Sequence, residues 1–239
     1  MTDVKNACYK CYIILLLIPI GIRAKAVSGD SVYVPNIHSV RLHTYGDQTG
    51  LPLLSLGSND LVELHFDDLN GGVKYYYYTY QLCNADWKPV NVSQFDYLKG
   101  FTQMRFTNYR FSSIAYTRYT HYQAMLPEKS AQPIRSGNYI IKAFLDGDTS
   151  KVVFTKRLLV LNNKATISAR VTQPFLPEYF RTHQKLQFNI NITGLNTFSA
   201  TQQIKVAVLQ NNRWDNAYIN IPPTFIRGTS LEYNTENIV

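Results

Sequence analysis

The stretch Val73-Lys74-Tyr75-Tyr76-Tyr77-Tyr78-Thr79-Tyr80-Gln81-Leu82 decides the fold. On an extended chain successive side chains alternate between two faces, so Tyr76, Tyr78 and Tyr80 share one side and Tyr75 and Tyr77 the other. Rings and β-branched residues suit a pleated, half-buried surface. One set of phenols is sized to fill a sandwich core. The other set is left to lie under a loop or to form an exposed platform for a sugar or a protein partner.

The same period of two runs outward from this stretch. Before it, Ser39 to Thr44 and Leu61 to Phe66 alternate; after it come Thr102 to Phe106, His121 to Leu126, Tyr139 to Leu145 and Val152 to Leu161. Turn residues separate them: Asp67-Asp68-Leu69-Asn70-Gly71-Gly72, Ser136-Gly137-Asn138 and Asp146-Gly147-Asp148. Seven such runs suit one sandwich. Asn162-Asn163-Lys164 breaks the pattern, and a second series follows: Ala165 to Val171, Leu186 to Ile192, Ile204 to Leu209, Trp214 to Ile221 and Ser230 to Tyr233. Pro174 and Pro177 punctuate its first connection and Pro222-Pro223 a stiff late turn. No window of twelve residues holds a helical period. The expectation is an all-β chain of two consecutive immunoglobulin- or fibronectin-like sandwiches, residues 27–162 and 163–239, the second short of strands and therefore incomplete.

Composition agrees. The chain of 239 residues is 45% hydrophobic and 13% aromatic, with eighteen tyrosines and three methionines, which excludes disorder, collagen, coiled coil and a multi-span membrane protein. Of the formal charge of +8, Lys5, Lys10, Arg23 and Lys25 against Asp3 place +3 in the first twenty-six residues and leave +5 for the rest. Those remaining cations, among them Lys74, Lys88, Lys99, Arg105, Arg110 and Arg118, are scattered rather than packed into the dense tracts that follow a phosphate backbone. Nucleic acid is not an expected partner.

Lys5 and Lys10, the apolar run Tyr12 to Ile22 and Ala24-Lys25-Ala26 read as the n-region, h-region and cleavage site of a secretory signal over residues 1–26. Eleven residues make a helix of about 16 Å, roughly half the hydrocarbon core. A mature chain from Val27 keeps Cys83 and loses Cys8 and Cys11, so it forms no internal disulfide. Cys83 reads as a small buried hydrophobe. Export without disulfides points to a bacterial envelope.

Chemistry-bearing patterns are sparse. His38, His43, His65, His121 and His183 lack the spacing of a local zinc site, leaving open only a metal assembled across strands. Asp67 and Asp68, with Glu63 and Asp86, offer carboxylates of the kind glycoside hydrolysis needs, but neighbours on a strand point apart, and both aspartates read better as acceptors in the turn before Asn70-Gly71-Gly72. There is no nucleophile elbow, Walker sequence or dinucleotide fingerprint. No catalytic residue, metal or cofactor is expected. Trp87 reads as an anchor for a long loop on the sheet.

Five blocks carry a family likeness. Cys83-Asn84-Ala85-Asp86-Trp87-Lys88-Pro89, Asp96-Tyr97-Leu98-Lys99-Gly100-Phe101, Tyr119-Thr120-His121-Tyr122, Ser136-Gly137-Asn138-Tyr139 and Gln210-Asn211-Asn212-Arg213-Trp214-Asp215-Asn216-Ala217 stand in order. In this the chain from Val34 onward resembles the plug proteins of the bacterial type IX secretion system. The resemblance implies an exported, non-enzymatic β-rich protein of Bacteroidota, located in the periplasm against the outer membrane. It also implies a role in closing the periplasmic mouth of the translocon barrel, with no small-molecule substrate. Family chains continue past the position of Val239 with a Gly-Gly-Asn-Glu-Phe-Arg-like segment. Tyr76 and Trp87 also support a second reading, an exported carbohydrate-binding module, and a periplasmic hydrolase is a third.

Overall fold

The structure, a computed structural model, describes residues 29–114 and 116–235, so the signal segment lies outside the described residues. In chain order the strands are β1 (Ser31–Val32), β2 (Ile37–Thr44), β3 (Leu53–Ser55), β4 (Val62–Asp68), β5 (Tyr76–Cys83), β6 (Leu98–Gly100), β7 (Met104–Arg105), β8 (Asn108–Phe111) and β9 (Thr120–Leu126). They continue as β10 (Ala131–Pro133), β11 (Gly137–Leu145), β12 (Val152–Leu161), β13 (Thr166–Thr172), β14 (Lys185–Asn191), β15 (Ala207–Val208), β16 (Tyr218–Ile219), β17 (Phe225–Arg227) and β18 (Ser230–Thr235). Among the described residues one α-helical turn, α1 (Ala200–Gln203), and two 3-10 turns at Gln94–Asp96 and Pro177–Tyr179 interrupt them. With 46% strand and 5% helix the chain is all-β and built as a sandwich.

Two sheets face each other up to Leu161. One has the order β1-β12-β11-β5-β7, with β3 running parallel to the far end of β12; the other has the order β2-β4-β9-β8. The tyrosine strand behaves as alternation requires: Tyr76, Tyr78 and Tyr80 are buried between the sheets, while Tyr75 stands outside, half exposed. Phe66 on β4 is the centre of this core. Its ring lies 5.0 Å from those of Tyr76, Tyr122 and Phe154 and 5.2 Å from that of Phe106. Twenty-three residues form this one buried apolar cluster. At about 25 cal/mol per Å² of apolar surface, burial on that scale is the main favourable contribution to the fold.

Several runs lie differently from the sequence expectation. β2 starts earlier, at Ile37, because Ser39 takes a left-handed backbone (φ 53°) at a bulge between His38 and Arg41, so pairing with β4 passes over the point where alternation lapses. The run expected over Thr102 to Phe106 shortens to β7, and the chain then crosses to the other sheet as β8, a strand exposed along its whole length and so without a buried face to reveal it. The runs expected over Ile204 to Leu209 and Trp214 to Ile221 shrink to β15 and β16. Just before β15, Gln203 turns back so that its Oε1 accepts from the Phe198 and Ser199 N–H groups, closing α1 instead of extending a strand.

After Leu161 the strands form a four-stranded sheet of order β13-β14-β18-β17 and the small ribbon β15–β16. Its buried cluster holds Phe188, Ile190, Ile192, Leu231 and Tyr233, with Phe188 stacked on Tyr233 at 4.4 Å.

Candidate functional site

The carboxylates singled out by sequence separate onto opposite faces, as strand neighbours must. Asp68 is fully buried and accepts from Asn36 Nδ2 at 2.5 Å, Lys74 Nζ at 2.6 Å, Tyr76 Oη at 2.9 Å and the Asn70 N–H at 3.1 Å. Burial pushes its pKa up, yet these donors outweigh burial and leave the carboxyl below its ordinary value. Asp68 is therefore a turn acceptor, as expected, and also an internal tie between strands. Asp67 departs from the turn reading: it lies on the outer face, 2.7 Å from His121 Nδ1. Glu63 accepts from Gln123, and Asp86 pairs with Lys205 elsewhere. No two of these carboxyls are brought together across a cleft.

Three of the five dispersed histidines do meet. Antiparallel pairing of β2, β4 and β9 brings His43 within 5.0 Å of His65 and His65 within 5.5 Å of His121, ring to ring. His43 Nδ1 donates to the Thr44 carbonyl at 3.0 Å, which leaves His43 Nε2 to accept from His65 Nε2 at 3.0 Å. Burial holds the His65 pKa below its usual value, opposed by Glu63 and reinforced by His43, His121 and Arg41. Among the described residues no three His, Cys, Asp or Glu side chains converge on a metal position.

The densest convergence of sequence motifs lies where the first sandwich meets the later strands. Asn84 shapes the loop after β5: its Oδ1 accepts from the Asp86 and Lys88 N–H groups at 2.9 and 3.0 Å, and Trp87 N donates to Asn84 O at 3.0 Å. This tight turn puts Trp87 in the left-handed region (φ 59°), at a cost of about 1–2 kcal/mol for a bulky residue. From the other side, Asn211 and Asn212 take the same left-handed conformation, which asparagine tolerates, and present Trp214. The two indoles, the only tryptophans of the chain, meet edge to face at 5.1 Å.

Arg157 of β12 lies 5.0 Å from both indole rings. Asp30 holds its Nη1 at 2.8 Å and its backbone N–H at 3.0 Å. A Cβ on Gly29 would strike the guanidinium, so a larger residue there would have to displace the Arg157 side chain from its present place. The Nε atom is buried against these groups with no hydrogen-bond partner. Lys205 reaches both carboxylate oxygens of Asp86 at 2.8 Å, and Asn212 Nδ2 donates to Thr49 O at 2.8 Å, so two further segments are tied to these loops. A cavity of about 670 Å³ opens beside the indoles and reaches Asn138 and Cys83. Burial pushes the Cys83 thiol up to about 11, opposed by Lys142 and the Ile140 N–H, which keeps it protonated at neutral pH. The arrangement is suited to holding chain segments in place by aromatic and ionic contact. Trp87 is the anchor the sequence indicated, but it anchors the loop to Arg157 and Trp214 and not to the sheet alone.

The chain is thus an all-β sandwich that buries Tyr76, Tyr78 and Tyr80 and brings its two tryptophans together at a junction. The family follows from comparison: residues 37–162 match the type 9 secretion system plug protein 1st domain, and the chain belongs to that family. It is also similar to the crystal structure of a hypothetical protein from Parabacteroides merdae ATCC 43184. The two share 28% identity with a TM-score of 0.79, over 86% of this chain and 52% of that one. The chain thus spans about half the length of that relative. No curated protein matches it.

Proposed function

We propose that the protein acts in the bacterial envelope by occlusion, docking the surface of its first sandwich against the periplasmic opening of the type IX translocon barrel and catalysing nothing. The observation that carries this reading is the family match over residues 37–162, which spans the whole run from β2 to β12. We further propose that residues 1–26 are the export signal, that the sandwich over residues 27–162 is one domain, and that residues 163–239 belong to a second. Occlusion needs shape and area. A stable contact buries about 1,200–2,000 Å² in total, which one face of such a sandwich supplies.

The carbohydrate-binding alternative has lost its carriers. Tyr76 is buried, the Trp87 ring is engaged by Trp214 and Arg157, and the exposed Tyr75 has the Arg105 guanidinium over its face at 4.1 Å. The test is deletion of the gene, with envelope permeability to a large antibiotic and recovery of the barrel with the tagged protein as readouts. Increased permeability on deletion together with barrel recovery is the expected result. Unchanged permeability and no barrel sink the proposal.

A further inference from the structure

We infer that the rim Met104–Phe111, continued by Arg118, is the docking edge, and that it takes an extended acidic segment of its partner as an added strand beside β8. This rests on the docking proposal and deepens it.

Three observations converge on the rim. The first is an open backbone. β7 ends the order of one sheet and β8 ends the order of the other, so a single extended segment forms the free edge of both on the same side of the sandwich. Ser112 N donates to Tyr119 O at 2.9 Å. By the alternation of an antiparallel ladder, Arg110 and Asn108 then turn their N–H and C=O groups toward β9, and those of Tyr109 and Phe111 point away, unpaired. This is the template for strand addition.

The second observation is charge. From Tyr97 to Pro127 the chain carries Lys99, Arg105, Arg110 and Arg118 and no aspartate or glutamate. Ion pairs elsewhere join Arg157 with Asp30, Lys74 with Asp68, Lys205 with Asp86, Arg213 with Asp215 and Arg227 with Glu232, while other cations such as Arg41, Lys88 and Arg135 also stand without one among the described residues, so what marks the rim is its run of arginines with no acidic residue between them. Arg105, Arg110 and Arg118 are exposed and none has a carboxylate within ion-pair distance among the described residues. An arginine on an edge also guards against self-association, since a second copy of the same edge brings like charge. The complementary partner is therefore acidic.

The third is the residue type. Tyr109, Phe111 and Tyr116 are 39%, 60% and 107% exposed, and Tyr109 leans on Tyr122 of the neighbouring strand at 5.9 Å. Tyrosine and arginine together are the residues in which binding energy concentrates, and rigid rings lose little entropy on contact.

The experiment uses the full chain, tagged and expressed in the deletion strain. One variant, Tyr109→Pro, removes an outward N–H at an edge position where proline is tolerated. A second, Arg105→Glu with Arg110→Glu and Arg118→Glu, reverses the rim charge. Both must keep the wild-type melting transition, and their fold is read separately from binding. The expected result is loss of barrel recovery by about ten-fold or more in each, the size expected when charge steering and register are lost. A photo-crosslinker at Phe111 should join the wild type to an acidic segment of the barrel. Undiminished recovery of the barrel with both variants overturns this inference and leaves the docking proposal standing. Absence of the barrel from the wild type overturns the docking proposal itself. Crosslinks to a second copy, or wild type sedimenting with vesicles of 30% phosphatidylglycerol, overturn the acidic-strand partner.

Discussion

The strands before Leu161 and those after it use the same alphabet and reach different ends. Between β2 and β12 two sheets face each other and bury twenty-three apolar residues in one cluster, including six tyrosines and three phenylalanines that are almost wholly enclosed. In the β13-β14-β18-β17 sheet the corresponding cluster holds five residues, and Ile167 and Val171, on the same face as that cluster, are 67% and 61% exposed. Alternation alone makes a sheet; a second layer makes a core. The difference predicts where each region is sensitive, and five substitutions test it.

The largest expected effect is at Phe66. Its ring touches four other rings from both sheets, so Phe66→Ala leaves a cavity that the enclosed core cannot collapse, and should cost about 3–5 kcal/mol. Phe188→Ala, beside an open face, has room to relax and should cost less, about 2 kcal/mol. Urea unfolding of the two variants decides this. Equal losses would show that the second sheet is as well enclosed as the first and break the comparison.

Next comes Asp68. Asp68→Ala strands Lys74, Asn36 and Tyr76 without their acceptor and should cost about 3 kcal/mol at neutral pH. The sign with pH follows from its depressed pKa. As pH falls, the unfolded carboxyl takes its proton first, near pH 3.9, so the contribution is complete above that value and is lost as pH drops through the lower folded pKa. The gap between wild type and variant should therefore close below about pH 4. A gap that stays constant from pH 7 to pH 3 would mean that the carboxylate is not what ties these strands.

How far the sequence revealed this molecule depends on how local each signal is. The tyrosine alternation was legible because a period of two needs only neighbours, and it put Tyr76, Tyr78 and Tyr80 on one face; that this face is the buried one came only with the second sheet. The Asp68 tie was half legible: its bond to Asn70 is two residues away, but its bond to Asn36 spans thirty-two. His43 and His65 are twenty-two residues apart, and only the β2–β4 register brings them together, so dispersed spacing was a poor guide to their meeting. Trp87 and Trp214 stood in two conspicuous blocks, yet nothing in either block announced the other or Arg157. The docking rim was invisible as a strand because β8 has no buried face. Its missing carboxylates were visible all along.

The junction joins the two regions and gives the third test. Trp214→Ala removes one of two rings facing Arg157 and the edge contact with Trp87, a loss of about 1–2 kcal/mol for a partly desolvated cation–π pair. Its effect should fall on the coupling. Calorimetry of the wild type is expected to show the β13–β18 sheet melting with, or close to, the first sandwich, and of Trp214→Ala to show two separated transitions with the sandwich unmoved. A uniform shift of one transition would instead make Trp214 part of a single core.

The smallest effect on stability, and the sharpest test of the open face, is at Ile167. β13 is paired on one edge only, and its sequence Thr166-Ile167-Ser168-Ala169-Arg170-Val171-Thr172 is nearly symmetric about Ala169. Pairing with a second copy in antiparallel register would set Ile167 against Val171 and Thr166 against Thr172, with apolar groups meeting apolar groups on one face throughout. Like β8, this strand carries one cation, but in this register Arg170, held by Gln187 Oε1 at 2.7 Å, faces Ser168 of the second copy and not a second arginine, so like charge guards the edge only weakly. Ile167→Lys places a new charge on the exposed edge, where substitutions change stability by about 0.5 kcal/mol or less. Sedimentation velocity over rising concentration should show the wild type self-associating and Ile167→Lys remaining monomeric, with matching melting curves. Association that survives Ile167→Lys but disappears on Arg110→Glu would move the self-pairing edge to β8, and would make the first sandwich, not the second sheet, the region with the unfinished surface.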